Sequence, residues 1–113
     1  MALPSFELNG EIYMVDEDGY LADFQQWNQE IAIHLATHNH ITMTDAHWEI
    51  VHFLRKYYQE YRIAPMIRIL TRVIGKTFGK EKGTTRYLYE LFPDGPAKQA
   101  CKIAGLPKPT GCV

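Results

Sequence analysis

The stretch that most limits what this chain can become runs from Thr44 to Pro65. Ile50, Leu54, Tyr57 and Tyr61 recur at helical spacing, with Trp48, Val51, Phe53 and Tyr58 beside them. Thr44 is a good N-cap, Asp45 suits a first turn, and Ile63-Ala64-Pro65 breaks the run, so a helix is predicted from Asp45 to about Arg62. Apolar and aromatic side chains cover more than half of its circumference. A helix of that kind needs neighbours on several sides, so it is expected to be the central helix of a mostly helical fold.

The flanking segments supply those neighbours. Phe6 to Val15 reads as a β-hairpin, because Asn9-Gly10 is the favoured two-residue turn and both positions tolerate positive φ. Phe6, Leu8, Ile12 and Met14 alternate with polar residues and are expected to form one apolar face. Asp16-Glu17-Asp18-Gly19 is an acidic turn with too few ligands for a calcium loop. Tyr20, Phe24, Trp27, Ile31 and Leu35 predict one helix from about Asp23 to Thr37, with Asp23 as its cap and Asn39 as its stop. His34 and His38 lie one turn apart, but no acidic or thiol ligand stands near them, so no metal site is expected; their place suits a helix C-terminus.

Pro65 sits in the first turn of the next predicted helix, Met66 to about Phe78, with Met66, Leu70 and Val73 on one face. Gly79 to Gly83 is a polar turn, and Thr84 or Thr85 starts a short helix through Leu88 that Pro93 ends. Pro96 opens the last helix and Gly105 closes it. That helix carries Cys101 among Ala97, Ala100 and Ala104, whose small side chains leave room for another segment to lie close. The fold class is therefore mostly α with a small N-terminal β-hairpin (α+β): an orthogonal helical bundle containing a helix-turn-helix-like pair.

A chain of 113 residues makes one domain, and 46% hydrophobic with 22% charged residues is ordinary for a globular protein. The N-terminus shows no basic start and apolar run, and no stretch approaches the ~20 apolar residues that span a bilayer, so a cytoplasmic protein is expected. In a reducing compartment, two cysteines point to catalysis, redox chemistry or metal binding rather than to a permanent staple.

Both cysteines fall in the last thirteen residues, Cys101 and the next-to-last Cys112, separated by two glycines and two prolines. The link spans about 36 Å if extended, or brings the two sulfurs together if bent at its glycines. A thiol on such a tether has the outline of a carrier; a frayed tail with an incidental cysteine is the plain alternative. The charge distribution bears on this choice. Residues 1–61 hold ten acidic and two basic side chains, whereas residues 62–113 hold ten basic and three acidic ones. The cysteines share the basic half, where positive potential lowers a thiol pKa and attracts anions. Arg68, Arg72 and Lys76 line up on one helical face, and Lys80, Lys82 and Arg86 continue the run. They form a solvated face, a surface for anions or an acidic partner, or a DNA-reading helix. The acidic first half and the lack of base-reading Asn, Gln and Ser side chains weigh against DNA.

The chain resembles the DsrC/TusE family of sulfur-carrier proteins over nearly its whole length. The resemblance is densest in Val15–Leu21, Thr44-Asp-Ala-His-Trp48, Phe53–Tyr58, Ile63-Ala-Pro65, Lys80–Gly83, Tyr87–Pro93, Gly95–Cys101 and Gly105-Leu-Pro-Lys-Pro-Thr-Gly-Cys-Val113. It implies a globular body over 1–104 and a mobile arm over 105–113, with Cys112 bearing sulfur and Cys101 as its redox partner. The branch that relays sulfur for transfer-RNA thiolation generally keeps only the penultimate cysteine. The presence of Cys101 therefore favours the branch called the gamma subunit of dissimilatory sulfite reductase. There the resemblance implies a co-substrate, a monomer when free, with no cofactor of its own. Its implied partners are the reductase with its siroheme and iron–sulfur clusters, sulfurtransferases of the relay, and a membrane-associated heterodisulfide-reductase-like complex.

Overall fold

The computed structural model describes residues 4–109, so Cys112 and its neighbours at 110–113 lie outside the described residues. A two-stranded antiparallel hairpin, β1 (Ser5–Leu8) and β2 (Glu11–Met14), is followed by five helices: α1 (Gln29–His38), α2 (Asp45–Tyr61), α3 (Ile67–Phe78), α4 (Thr85–Leu91) and α5 (Pro96–Ile103).

The hairpin turn is Asn9-Gly10 at φ 52° and 82°, the positive pair that a two-residue hairpin turn demands. Its register pairs Phe6 with Tyr13 and Leu8 with Glu11. Cross-strand partners share a face, so Phe6, Leu8 and Tyr13 pack on the core. Ile12 faces solvent, 64% exposed, which corrects the expected apolar set. Alternation within each strand was legible, but the register decides which set of β2 joins which set of β1.

The helix expected from Asp23 is broken. Asp23 caps only a single 3-10 turn, Phe24–Gln26, by accepting from the Gln25 amide at 2.9 Å. Trp27 is extended, and Asn28 then caps α1 by accepting from the Ile31 amide at 2.9 Å. A second side-chain cap three residues before an apolar run competes with continuous helix. The break frees the Trp27 indole to point at α5.

α2 has nearly the predicted span and ends at Arg62 in the left-handed conformation, φ 57°. His47, in its first turn, is buried and serves as a tie. Its Nδ1 accepts from the Thr44 amide at 3.1 Å, so its Nε2 carries the proton and donates to the Leu91 carbonyl at 2.8 Å. Ile50, Val51 and Leu54 are fully buried, but Tyr61 is 55% exposed. The apolar stripe therefore leaves the core before the helix ends.

The centre is α5, not α2. The short helix packs against α1, α2, α3 and α4. Ala97, Ala100, Cys101 and Ala104 are 0–2% exposed, and such small residues let the four other helices approach closely. The room that the alanines leave is filled by these helices. α3 is held close to the following turn by Gly75 and Gly83, where a Cβ on Gly83 would lie 2.3 Å from the Gly75 Cα.

Residues 105–109 of the expected arm lie on the body. Leu106 is fully buried and Pro109 is buried too. The packed unit therefore runs past the expected boundary at residue 104. Leu106→Ala is expected to cost about 2–5 kcal/mol of unfolding free energy, read from urea melts. A cost near zero would return Leu106 to the arm.

Candidate functional site

α5 begins with Gly95 at φ 120° and Pro96 as its first residue, where a missing N–H costs nothing. Its other end is closed by a Schellman cap. Gly105, at φ 75°, donates to the Lys102 carbonyl at 3.1 Å, and the Leu106 amide donates to the Cys101 carbonyl at 2.9 Å. Glycine is required there twice over, because a Cβ on Gly105 would also meet Trp27 Cδ1 at 2.6 Å. Cys101 is thus the residue over which the root of the tail folds back.

Two side chains from outside α5 take the remaining carbonyls of this end. Trp27 Nε1 donates to the Ile103 carbonyl at 2.8 Å. Arg55 donates from Nη1 to the Ala104 carbonyl at 2.9 Å and from Nη2 to the Phe24 carbonyl at 3.1 Å. Its guanidinium carbon lies 3.7 Å from the centre of the Phe24 ring and 4.3 Å from that of Trp27. Burial pushes the Arg55 pKa down to about 10. The ring faces and the negative end of the α5 dipole keep the cation charged at neutral pH.

Cys101 itself is fully buried, and desolvation pushes its thiol well up from the ordinary range. This corrects the expectation that neighbouring lysines and arginines would raise its thiolate fraction. Lys98 is exposed and Lys102 half-buried; with Lys108 and Asp18 they line a polar cleft of about 240 Å³ beside Tyr20. Lys108 pairs there with Asp18 at 3.2 Å, and Lys102 Nζ sits 5.1 Å from the centre of the Tyr20 ring. Tyr20 is buried, its hydroxyl pushed up to about 12 by desolvation first, with Cys101, Asp16 and Asp18 adding to it.

The basic run divides in two. Arg68, Arg72, Lys76 and Lys80 are exposed, and no ion pair among the described residues engages them. Lys82, by contrast, pairs with Glu49 of α2 at 2.9 Å, and Arg86 lies 3.7 Å from Glu90 one turn on. Beside Lys76, an open groove of about 370 Å³ between α2 and α3 is lined by Phe53, Tyr57, Tyr61 and Val73. The His34 and His38 rings lie 4.4 Å apart and tilted by 40°, and the described residues bring no third metal-ligating group to them.

The family described as DsrC like protein matches residues 7–113. The chain belongs to the DsrC-like family. It is 50% identical over 106 residues to the Sulfurtransferase TusE homolog of Haemophilus influenzae, which spans 94% of this chain and 97% of that protein. The NMR structure of Allochromatium vinosum DsrC superimposes with a TM-score of 0.88 at 53% identity, covering 96% of this chain and 97% of that one. The oxidized gamma-subunit of the dissimilatory sulfite reductase (DsrC) from Archaeoglobus fulgidus superimposes with a TM-score of 0.83 at 43% identity, covering 97% and 100%. The mostly helical DsrC-like fold with its N-terminal hairpin is thus the observed one. Among the described residues no helix is long and apolar enough to cross a membrane.

Sequence reasoning missed Trp27 and Arg55 as parts of the site. Trp27 counted as one residue of an apolar stripe. Arg55 offered a signal, since it falls four residues after Val51 and three before Tyr58, on the apolar side of α2.

A thiol raised in the fold implies a pH dependence. Above about pH 8.5 the unfolded chain releases the Cys101 proton while the folded chain keeps it, so the unfolded state binds fewer protons and stability falls. Its stabilising share is complete below that pH and shrinks above it. Urea melts between about pH 7 and 9.5 are expected to show a steeper decline for the native sequence than for Cys101→Ala. Equal slopes would mean that the thiol ionises as freely in the fold as out of it.

Proposed function

We propose that this chain is a sulfur carrier and protein co-substrate of dissimilatory sulfite reductase. Cys112 takes up sulfur as a persulfide, and the Cys101 thiolate attacks its inner sulfur to give the Cys101–Cys112 disulfide and release hydrosulfide. A trisulfide forms instead when the reductase hands Cys112 partly reduced sulfur two electrons above that level, on which the Cys101 thiol closes with loss of water. The reading is carried by one observation: the family similarity extends through residue 113, and so through Cys112, in a chain that also places Cys101 at the root of that tail. Sulfur enters when the Cys112 thiolate attacks a donor's outer sulfur, forming one S–S bond and releasing the donor thiol. Electrons for resolving the trisulfide to sulfide and two thiols come from a partner, a membrane-associated heterodisulfide-reductase-like complex. Siroheme and iron–sulfur clusters likewise belong to the reductase, because this chain offers no cluster-binding cysteine set.

A second reading is favoured by the name of the Haemophilus influenzae relative: a TusE-like relay passing sulfur toward transfer-RNA thiolation. The two readings differ in their need for Cys101. Incubation with a persulfide donor, followed by intact-mass measurement, is expected to show sulfur increments in the native chain and none in Cys112→Ser. Cys101→Ser is expected to load and then stall in the reductase reading, but to load and deliver normally in the relay reading. Loading on Cys101 in Cys112→Ser at the native rate would overturn both.

For docking we assign Arg68, Arg72, Lys76 and Lys80, with the aromatic groove beside Lys76, to an acidic surface of a protein partner. Lys82 is engaged with Glu49 of α2 and contributes less, whereas Arg86 stays exposed beside Glu90. Arg72→Glu with Lys76→Glu is expected to weaken partner binding about tenfold or more and to flatten its salt dependence, leaving the melting temperature within a few degrees. Unchanged affinity would make these residues a solvated face, and a DNA gel shift abolished by the same pair would favour a DNA-binding regulator acting through the helix-turn-helix-like pair.

A further inference from the structure

The end of α5 is closed more completely than a helix end on a protein surface requires. Its last carbonyls have partners in turn: Ala100 takes the Ala104 amide, Cys101 the Leu106 amide, Lys102 the Gly105 amide, Ile103 the Trp27 indole and Ala104 the Arg55 guanidinium. Three of these bonds are local to the cap. The other two reach in from the 3-10 turn region and from α2, and Trp27 additionally seals Gly105 by direct contact. Arg55 has no carboxylate partner among the described ion pairs; its charge is spent on two carbonyls and two ring faces.

Cys101 lies inside this closure. Its carbonyl is the acceptor of the bond that turns the chain at Leu106, and its side chain is wholly covered. A wholly covered thiol reacts only through an opening of what covers it, and the turn anchored on the Cys101 carbonyl is the closure that adjoins the tail.

We propose that Trp27 and Arg55 form a clasp that gates Cys101, releasing it when the Gly105-Leu106 cap unlatches. Gly105 and Leu106 are at once the cap and the first residues of the tail that leads to Cys112. A partner that draws the tail outward must first free Pro109 and the Lys108–Asp18 pair, and the pull then reaches the Leu106–Cys101 bond. Extension of the tail and uncovering of the second thiol are thereby one event. The clasp keeps Cys101 protonated and out of reach of small oxidants until Cys112 has been engaged. The use of this gate rests on the carrier reading, whereas its existence does not.

The test labels Cys101 alone, in the Cys112→Ser chain, with iodoacetamide under native conditions and at low urea. The thiolate displaces iodide to form a thioether, its proton going to buffer, and intact mass follows the rate. Local opening of the last turn predicts slow labelling with a urea dependence much weaker than that of global unfolding. Trp27→Phe keeps an aromatic ring but loses Nε1 with its bond to Ile103 and part of the indole's contact area, while Arg55→Lys keeps the charge and loses the fork. Each is expected to speed labelling about five- to tenfold, the loss of one ordinary hydrogen bond, beyond any change in its global unfolding constant. The proposal is overturned if labelling shows the urea dependence of global unfolding, or if each variant's acceleration equals its loss of global stability. Should Arg55→Lys fail to fold, Trp27→Phe decides the matter by the same comparison. No sulfur donor or partner enters the experiment, so the carrier reading can fail in the loading assay while the gate stands, and the reverse.

Discussion

The closure of a short, small-residue helix by its neighbours is the interaction on which the rest of this structure depends. α5 contributes little apolar area of its own, yet Ala97, Ala100 and Ala104 let α1, α2, α3 and α4 converge on it. Small side chains trade individual burial for close approach, and the gain is collected by the larger groups around them, such as Ile31, Leu54, Leu70 and Phe92, all fully buried. A helix held from four sides cannot slide, so both of its ends are fixed. One end receives the chain from Pro96, and the other delivers it through Gly105 into the tail.

Chemistry follows from that placement. A cysteine at the centre of a core is a poor nucleophile, because burial favours the neutral thiol and bars reagents. The two cysteines of the chain are consequently unequal by construction. Cys101 is stored, uncharged and covered, on the most constrained helix, whereas Cys112 stands one residue from the terminus. For a carrier this inequality has a use: the first sulfur bond is made by one thiol, and the second is withheld until it is needed. The basic surface lies elsewhere, on α3 and the turn after it.

Much of this was legible in the sequence, and the failures have physical causes. Asn9-Gly10, Thr44, Thr84, Pro96 and Gly105 mark element ends because each satisfies a backbone need that few other residues meet, and all five act as expected. The centre of the fold was misjudged because apolar periodicity rewards large side chains; α2 has them and α5 does not. The break at Trp27-Asn28 was hidden because the stripe of Phe24, Trp27 and Ile31 keeps helical spacing across it. Arg55 and Trp27 escaped for a different reason. Their partners at Ala104 and Ile103 are far away in the chain and are backbone groups, which carry no residue-specific signal.

Amide hydrogen exchange on the intact chain tests the central claim most directly. If α5 is the hub, the amides of Gln99 and Ala100, inside the helix and ahead of the turn that opens, should exchange only through global unfolding, as slowly as any in the molecule. Those of Gly105 and Leu106, which close the cap, should exchange faster and together, through a smaller opening. Protection in α5 lower than in the buried turns of α2, or a cap that exchanges no faster than the helix interior, would contradict the account.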